Sequence, residues 1–141
     1  MANPEHKTFH CDLIDPTGKL LDCRTTSVVL PAHDGQIGIL YNHLPMLCQL
    51  GLGIVRVAQG TDAQSQVLFF VDGGFVLVAS NSVTIVAYEA FSIEGLERQK
   101  VEVLIERTAR SLPGAPLSAS QRLHENERLR ALRKIAESLP A

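Results

Sequence analysis

The stretch QVLFFVDGGFVLVASNSVTIVAY, Gln66–Tyr88, decides the architecture. It holds three apolar runs, Gln66–Val71, Phe75–Ala79 and Val83–Tyr88, each close to the usual length of a strand and rich in β-branched and aromatic side chains. Asp72-Gly73-Gly74 and Ser80-Asn81-Ser82 stand between them and read as turns, because Gly and Asn adopt positive φ at little steric cost. Connections this short leave no room for a crossover helix. Neighbouring strands should run antiparallel, and a parallel βαβ fold is excluded.

The same grammar extends toward the amino terminus. Phe9, Cys11 and Leu13 alternate with His10 and Asp12, and Asp15-Pro16-Thr17-Gly18 turns the chain into Leu20-Leu21. Thr26–Leu30 stops at Pro31, and Ile37–Leu40 follows Asp34-Gly35. Met46–Leu50 and Ile54–Val57 are separated by Gly51-Leu52-Gly53, and Gly60-Thr61-Asp62 follows as a further turn. Short strands at roughly ten-residue spacing, with no helical pattern between them, predict a β-sandwich or flattened antiparallel barrel.

Beyond Phe91 the period changes. Val101, Leu104, Ile105, Thr108 and Leu112 fall on one stripe of a helix, with Glu102, Glu106 and Arg110 facing away and Ser92 in an N-cap position. Pro113-Gly114-Ala115-Pro116 must break that helix. Ser118-Ala119-Ser120-Gln121 is a capping box and should open a second helix running to about Ser138. Its apolar residues, Leu129, Leu132, Ile135, Ala136 and Leu139, make a narrow seam, with Arg122, Arg128, Arg130, Arg133 and Lys134 crowding the rest of its surface. So thin a seam buries little apolar area against the entropy of ordering, which makes the α-helical hairpin an element suited to detaching and repacking.

Charge divides at the same place. Residues 1–91 carry four basic side chains against eight acidic, and residues 92–141 carry nine against seven. Two domains follow, a sandwich over 1–91 and a hairpin over 92–141. At 141 residues, 45% hydrophobic and 20% charged, the chain affords one sizeable core. No apolar run nears the roughly 20 residues of a membrane span, and Met1–Lys7 is polar, so a soluble cytosolic chain is expected. Cys11, Cys23 and Cys48 are odd in number and widely spaced, which suggests small core-filling thiols and neither a disulfide framework nor a zinc knuckle.

Catalytic chemistry finds little support. His33, Asp34 and His43 are potential metal ligands, but they lie in a turn-rich stretch without HxH or HExxH spacing; a metal enzyme on a β-scaffold is the competing reading they leave, and an unrelated protein-binding adaptor is another. Gly73-Gly74 lacks the flanking pattern of a phosphate loop, and no serine sits in a GxSxG context. A mildly acidic chain with five Phe, two Tyr and no Trp does not offer the basic, aromatic-studded face of a nucleic-acid binder. A scaffold that binds other proteins remains.

The run Leu30-Pro31-Ala32-His33-Asp34-Gly35-Gln36-Ile37-Gly38-Ile39-Leu40-Tyr41-Asn42-His43-Leu44-Pro45-Met46-Leu47 resembles the signature of the epsilon subunits of F-type ATP synthases. Phe70-Val71-Asp72-Gly73-Gly74-Phe75-Val76 and Asn81-Ser82-Val83-Thr84-Ile85-Val86 resemble two further segments of that family, in order and spacing. The resemblance implies a non-catalytic rotor subunit, peripheral at the cytoplasmic face of the bacterial inner membrane. Its sandwich packs on the gamma subunit and meets the polar loops of the proton-driven c-ring. It also implies that the loop matching Asp34–His43 faces the ring, with Gln36, Asn42 and His43 as contacts; Gln36 stands where many relatives have Glu. The hairpin acts in the family as a brake that reaches between the catalytic alpha and beta subunits, and Arg122, Arg128, Arg130, Arg133 and Lys134 would meet an acidic segment of beta. Some relatives bind ATP through a pattern that falls here on Leu96-Glu97-Arg98-Gln99-Lys100-Val101, where Glu97 and Lys100 replace the family's Asp and Arg. Lys lacks the planar donor fork of Arg, so nucleotide binding is expected to be weak or absent, and no cofactor is expected.

Overall fold

The structure is a computed structural model of the chain, and it describes residues 7–32, 34–59, 62–114 and 116–139. Eight strands precede two helices: β1 (Phe9–Asp15), β2 (Gly18–Thr25), β3 (Ser27–Ala32), β4 (Gly35–Leu40), β5 (Met46–Gln59), β6 (Asp62–Ala79), β7 (Ser82–Ala87), β8 (Ala90–Ser92), α1 (Arg98–Ser111) and α2 (Ala119–Ser138). The strand order is β2-β1-β7-β6-β5-β3-β4, with β8 pairing on β6.

Two of the expected turns are interior to strands. Gly51-Leu52-Gly53 lies within β5 and Asp72-Gly73-Gly74 within β6, and the two strands stay paired through both, Leu50 with Gly74 and Leu52 with Asp72. On one side of the glycines β6 pairs with β7; on the other it pairs with β8. The glycines let both strands bend together, so that the halves of one sheet face each other across a shared core. Small residues are obligatory there. A Cβ on Gly51 would stand 2.7 Å from the Ala32 carbonyl oxygen, and one on Gly74 only 1.9 Å from that of Val86.

The ladders are antiparallel except one. β1 runs parallel to β7, with Cys11 opposite Val83 and Leu13 opposite Ile85, which corrects the wholly antiparallel expectation. Five intervening strands make that connection, so no crossover helix is needed. Phe9, Cys11, Leu13, Leu30, Ile39, Val55, Val71, Val76 and Ile85 meet in the core, drawn from both halves of the sheet. Cys23, opposite Cys11 on β2, and Cys48 pack against it, and all three thiols are free. Thr25 is fully buried, its hydroxyl donating to the Ala58 carbonyl at 2.7 Å and accepting from the Ser27 amide at 3.2 Å, which ties the β2–β3 junction to β5.

The chain forms two compact units, Met1–Glu94 and Gly95–Ala141. The first extends past the charge shift because β8 stacks Phe91 on Phe70, with ring centroids 4.8 Å apart, and the Ile93 amide donates to the Leu68 carbonyl. Ser92 therefore ends a strand and does not cap α1. The N-cap is Glu97, without a side-chain cap bond. The capping box of α2 forms as expected: Ser118 Oγ accepts from the Gln121 amide, and Gln121 Oε1 accepts from the Ser118 amide at 2.8 Å. Val101 and Thr108 of α1 and Leu129, Leu132, Ile135 and Ala136 of α2 are buried.

Candidate docking surfaces

The resemblance implies one loop over residues 34–43, but the strand read from the sequence at Ile37–Leu40 divides it. Residues 35–40 make β4, because Ile37 and Ile39 alternate inward while Gln36, Gly38 and Leu40 are exposed, pairing along β3 from Pro31–Gln36 to Ser27–Leu40. Gln36 thus lies at one end of the strand, beside the exposed Asp34 and Gly35 and near the bend of β5, where Ala32 pairs with Leu50. Asn42 and His43 lie beyond the other end, about 20 Å away at roughly 3.3 Å per strand residue. The three expected contacts therefore form two sites. The same separation parts Asp34 from His43, while His33 lies outside the described residues.

The segment 41–45 is an ordered loop. Asn42 sits at φ +61°, the His43 amide donates to the Leu40 carbonyl at 3.1 Å, and His43 Nδ1 is 2.7 Å from the Leu44 carbonyl oxygen. Asn81 closes it from the β6–β7 turn. Its Oδ1 accepts from the Asn42 amide at 2.8 Å, and its Nδ2 donates to Asn42 Oδ1 at 3.1 Å. Apolar side chains project around this loop: Leu44 is 78% exposed, Leu47 71% and Leu40 63%.

Leu47 also begins a wider apolar face. It stands opposite Leu77 on β6, Phe75 stands opposite Val86 on β7, and Phe75 meets Tyr88 edge to face at 6.1 Å. All five are exposed, an unusual concentration for the outer side of a sheet. Charged groups border it on β1 and β2. Asp12 and Asp22 oppose one another across the ladder, and His10 Nε2 lies 3.0 Å from a carboxylate oxygen of each. The Lys19 ammonium sits 3.3 Å from both carboxylates and relieves their repulsion. Burial pushes the Asp12 carboxyl up, but hydrogen bonds from His10 and Lys19 together with their charges outweigh it and hold the group below the ordinary value. Among the described residues these are the histidine and carboxylates close enough to share an ion, and the lysine occupies the space between the two aspartates.

On α2, Arg122, Arg130, Arg133 and Lys134 are exposed as expected, whereas Arg128 is only 8% exposed and belongs with the buried residues of the helix. An arginine can bury its aliphatic stem while its guanidinium is satisfied, which the bare charge pattern does not reveal. Glu97 and Lys100 are exposed at the start of α1, joined through the backbone by the Lys100 amide donating to the Glu97 carbonyl.

A rigid sandwich with a broad apolar outer face, a pinned apolar loop and an appended basic hairpin is a subunit built to be held by other proteins. The model of the family described as ATP synthase, Delta/Epsilon chain, beta-sandwich domain matches residues 8–93. The chain is 34% identical over 140 residues to the ATP synthase epsilon chain of Lactobacillus delbrueckii subsp. bulgaricus, spanning 99% of this chain and 94% of that one. It is 33% identical over 106 residues to the epsilon chain of Bacillus subtilis, spanning 75% and 78% respectively. A chain in the cryo-electron-microscopy structure of the Euglena gracilis mitochondrial ATP synthase, with OSCP, F1 and c-ring in rotational state 1, shares the fold. Its TM-score is 0.70 at 19% identity, over 99% of this chain and 91% of that one. The chain belongs to the ATP synthase delta/epsilon family and, within it, is an epsilon chain.

Proposed function

We propose that this epsilon chain is a non-catalytic rotor subunit of an F-type ATP synthase that clamps the gamma subunit to the c-ring, using the two ends of its sandwich for the two partners. The observation that carries this reading is the separation of Gln36 from Asn42 and His43 by the length of β4. A clamp needs two contact zones on one stiff body. The end carrying Asp34, Gly35 and Gln36 is polar and suits the polar loops of the ring. The end carrying Leu40, Leu44 and Leu47 is apolar, continues into the Leu77, Phe75, Val86 and Tyr88 face, and suits a stable protein partner in the stalk. Asn42 and His43 are thereby assigned to gamma, and Gln36 alone to the ring. The assembly holds the chain peripherally, at the cytoplasmic face of the inner membrane; no helix among the described residues is long and apolar enough to cross it.

The hairpin is the regulatory part of this reading. Released, its exposed Arg122, Arg130, Arg133 and Lys134 would be drawn to an acidic segment of a catalytic subunit and oppose rotation in the hydrolysis direction. Arg128 is buried and takes part only if its surroundings rearrange to expose it.

A photo-crosslinking amino acid at position 36 or 43 of the assembled synthase tests the two-ended clamp. Adducts to c from position 36 and to gamma from position 43 are expected. Adducts to one partner from both positions would overturn it.

A further inference from the structure

The β6–β7 hairpin turns on Ser80 and Asn81, at φ +51° and +58°, with Ala79 and Ser82 paired across it. Two successive residues at positive φ make the two-residue hairpin turn in which the second place is ordinarily glycine, for conformational ease. An asparagine there has a side chain that the turn does not need. In this chain that side chain makes two hydrogen bonds to a single residue 39 positions away, one with the backbone amide of Asn42 and one with its side-chain amide. The Asn81 carbonyl, meanwhile, accepts from the His10 amide at 3.0 Å, anchoring the turn to β1.

We infer that Asn81 is a positioning residue for partner binding: it locks the 41–45 loop so that Leu44 is presented in one arrangement between the strand residues Leu40 and Leu47 before gamma arrives. This rests on the assignment of that loop to gamma. Side chains this exposed bury little area to hold the loop in shape, and its own hydrogen bonds, through His43 to Leu40 and Leu44, stay within the segment and do not tie it to another strand. Without the clasp, its ordering entropy would be lost on binding and affinity would fall. Asn42, also at positive φ, is the matched half of the clasp.

Asn81→Gly separates this role from the turn itself, because glycine suits the turn conformation while deleting both hydrogen bonds. In the full-length chain, Asn81→Gly is expected to leave the thermal midpoint within a few degrees of wild type. It should accelerate hydrogen exchange of the Asn42 amide and weaken binding to purified gamma roughly five- to tenfold by calorimetry. Asn42→Gly removes one of the two clasp bonds, and combined with Asn81→Gly it should cost less than the sum of the two single losses, since the clasp is then already gone; strictly additive losses would count against the clasp. Leu44→Asp serves as the reference and should weaken binding more than either. If Leu44→Asp weakens binding while Asn81→Gly leaves both affinity and Asn42 exchange unchanged, the clasp has no positioning role and the inference fails alone. If Leu44→Asp leaves affinity unchanged, the assignment of the loop to gamma fails and the inference falls with it.

Discussion

Gly74→Ala adds a single methyl group to the sandwich at the point where its backbones approach most closely, and it should be costly. Gly74 has φ +135°, a region nearly closed to other residues, and that backbone strain alone costs on the order of 1–3 kcal/mol. The new methyl carbon would also lie 1.9 Å from the Val86 carbonyl oxygen and 2.9 Å from the Ala87 Cα, where real contacts begin near 3.0 Å. Both are backbone atoms of a paired strand, so no side chain can swing away. β7 must retreat by about 1 Å at its Val86–Ala87 end, weakening the two adjacent ladder pairs, Gly74–Ala87 and Phe75–Val86, at about 1 kcal/mol per hydrogen bond disturbed. The sum is roughly 3–5 kcal/mol, a third or more of the stability of an ordinary domain. Gly18→Ala is the control, because Gly18 has a closely similar φ of +132° and nothing within 4 Å of the added carbon. Urea unfolding of the full-length chain, followed by strand circular dichroism, should show Gly18→Ala losing only the strain component and Gly74→Ala at least about 2 kcal/mol more. Equal losses, within about 0.5 kcal/mol, would refute the reading of the β6 bend as a point of enforced backbone contact.

Thr25→Val keeps the shape of a fully buried side chain but strips the Ala58 carbonyl and Ser27 amide of their partner, and urea unfolding should register about 1–3 kcal/mol. Ser118→Ala opens the capping box and should cost about 1 kcal/mol of hairpin stability, seen as earlier loss of helical signal on heating. The lowered Asp12 pKa contributes stability that is fully present above the unfolded value of 3.8 and is lost as pH falls through the folded value; Asp12→Asn should flatten the acid limb of the urea-midpoint profile there. Burial, reinforced by the charges of Cys23 and Asp12, pushes the Cys11 thiol up to about 12. Its contribution is present below the unfolded value of 9.0 and lost as pH rises toward 12, and iodoacetamide at a pH of about 8 should leave Cys11 unmodified in the native chain. Millimolar ATP should not shift the thermal midpoint of the hairpin, and a saturable rise that Lys100→Ala abolishes would show that Glu97 and Lys100 do form a nucleotide site.

What the sequence makes legible is what local chemistry controls. Ser118 and Gln121 specify the start of α2 because each satisfies the other's backbone amide, whatever lies nearby. Alternation gives β1 its inward Phe9, Cys11 and Leu13 in the same way. Asp72-Gly73-Gly74 is degenerate at this level. The positive φ that closes a hairpin also bends a strand, and only the Leu50–Gly74 and Leu52–Asp72 pairings distinguish them. The parallel β1–β7 pair is equally invisible, since it joins segments some seventy residues apart. At the docking surfaces, Gln36, Asn42 and His43 are recognisable from their motif, and the strand read at Ile37–Leu40 already parts them, although the resemblance places all three in one loop. Asn81 leaves one trace, an asparagine where a tight hairpin usually takes glycine. Thr25 and Arg128 leave none, because a threonine among strand residues and an arginine among helix charges look like surface until the packing is known.

The unbroken course of β5 and β6 matters to the function as well as to the fold. Had each strand stopped at its glycines, the sandwich would be two small sheets joined by loops, and a twist applied at one end would be taken up in the connections. As continuous strands of 14 and 18 residues, paired through the bend, they make both halves parts of a single hydrogen-bonded ladder. The polar end at Gln36 and the apolar end at Asn42 are joined by β4, which pairs along its length with β3 and through β3 with β5, so displacing one relative to the other means breaking backbone hydrogen bonds in a ladder that this sheet backs. The clamp proposed above needs that stiffness between its two contacts. The glycines keep β5 and β6 unbroken behind that ladder, and the Asn42–Asn81 clasp extends the hydrogen-bonded framework into the 41–45 loop, which the proposed function assigns to the stalk.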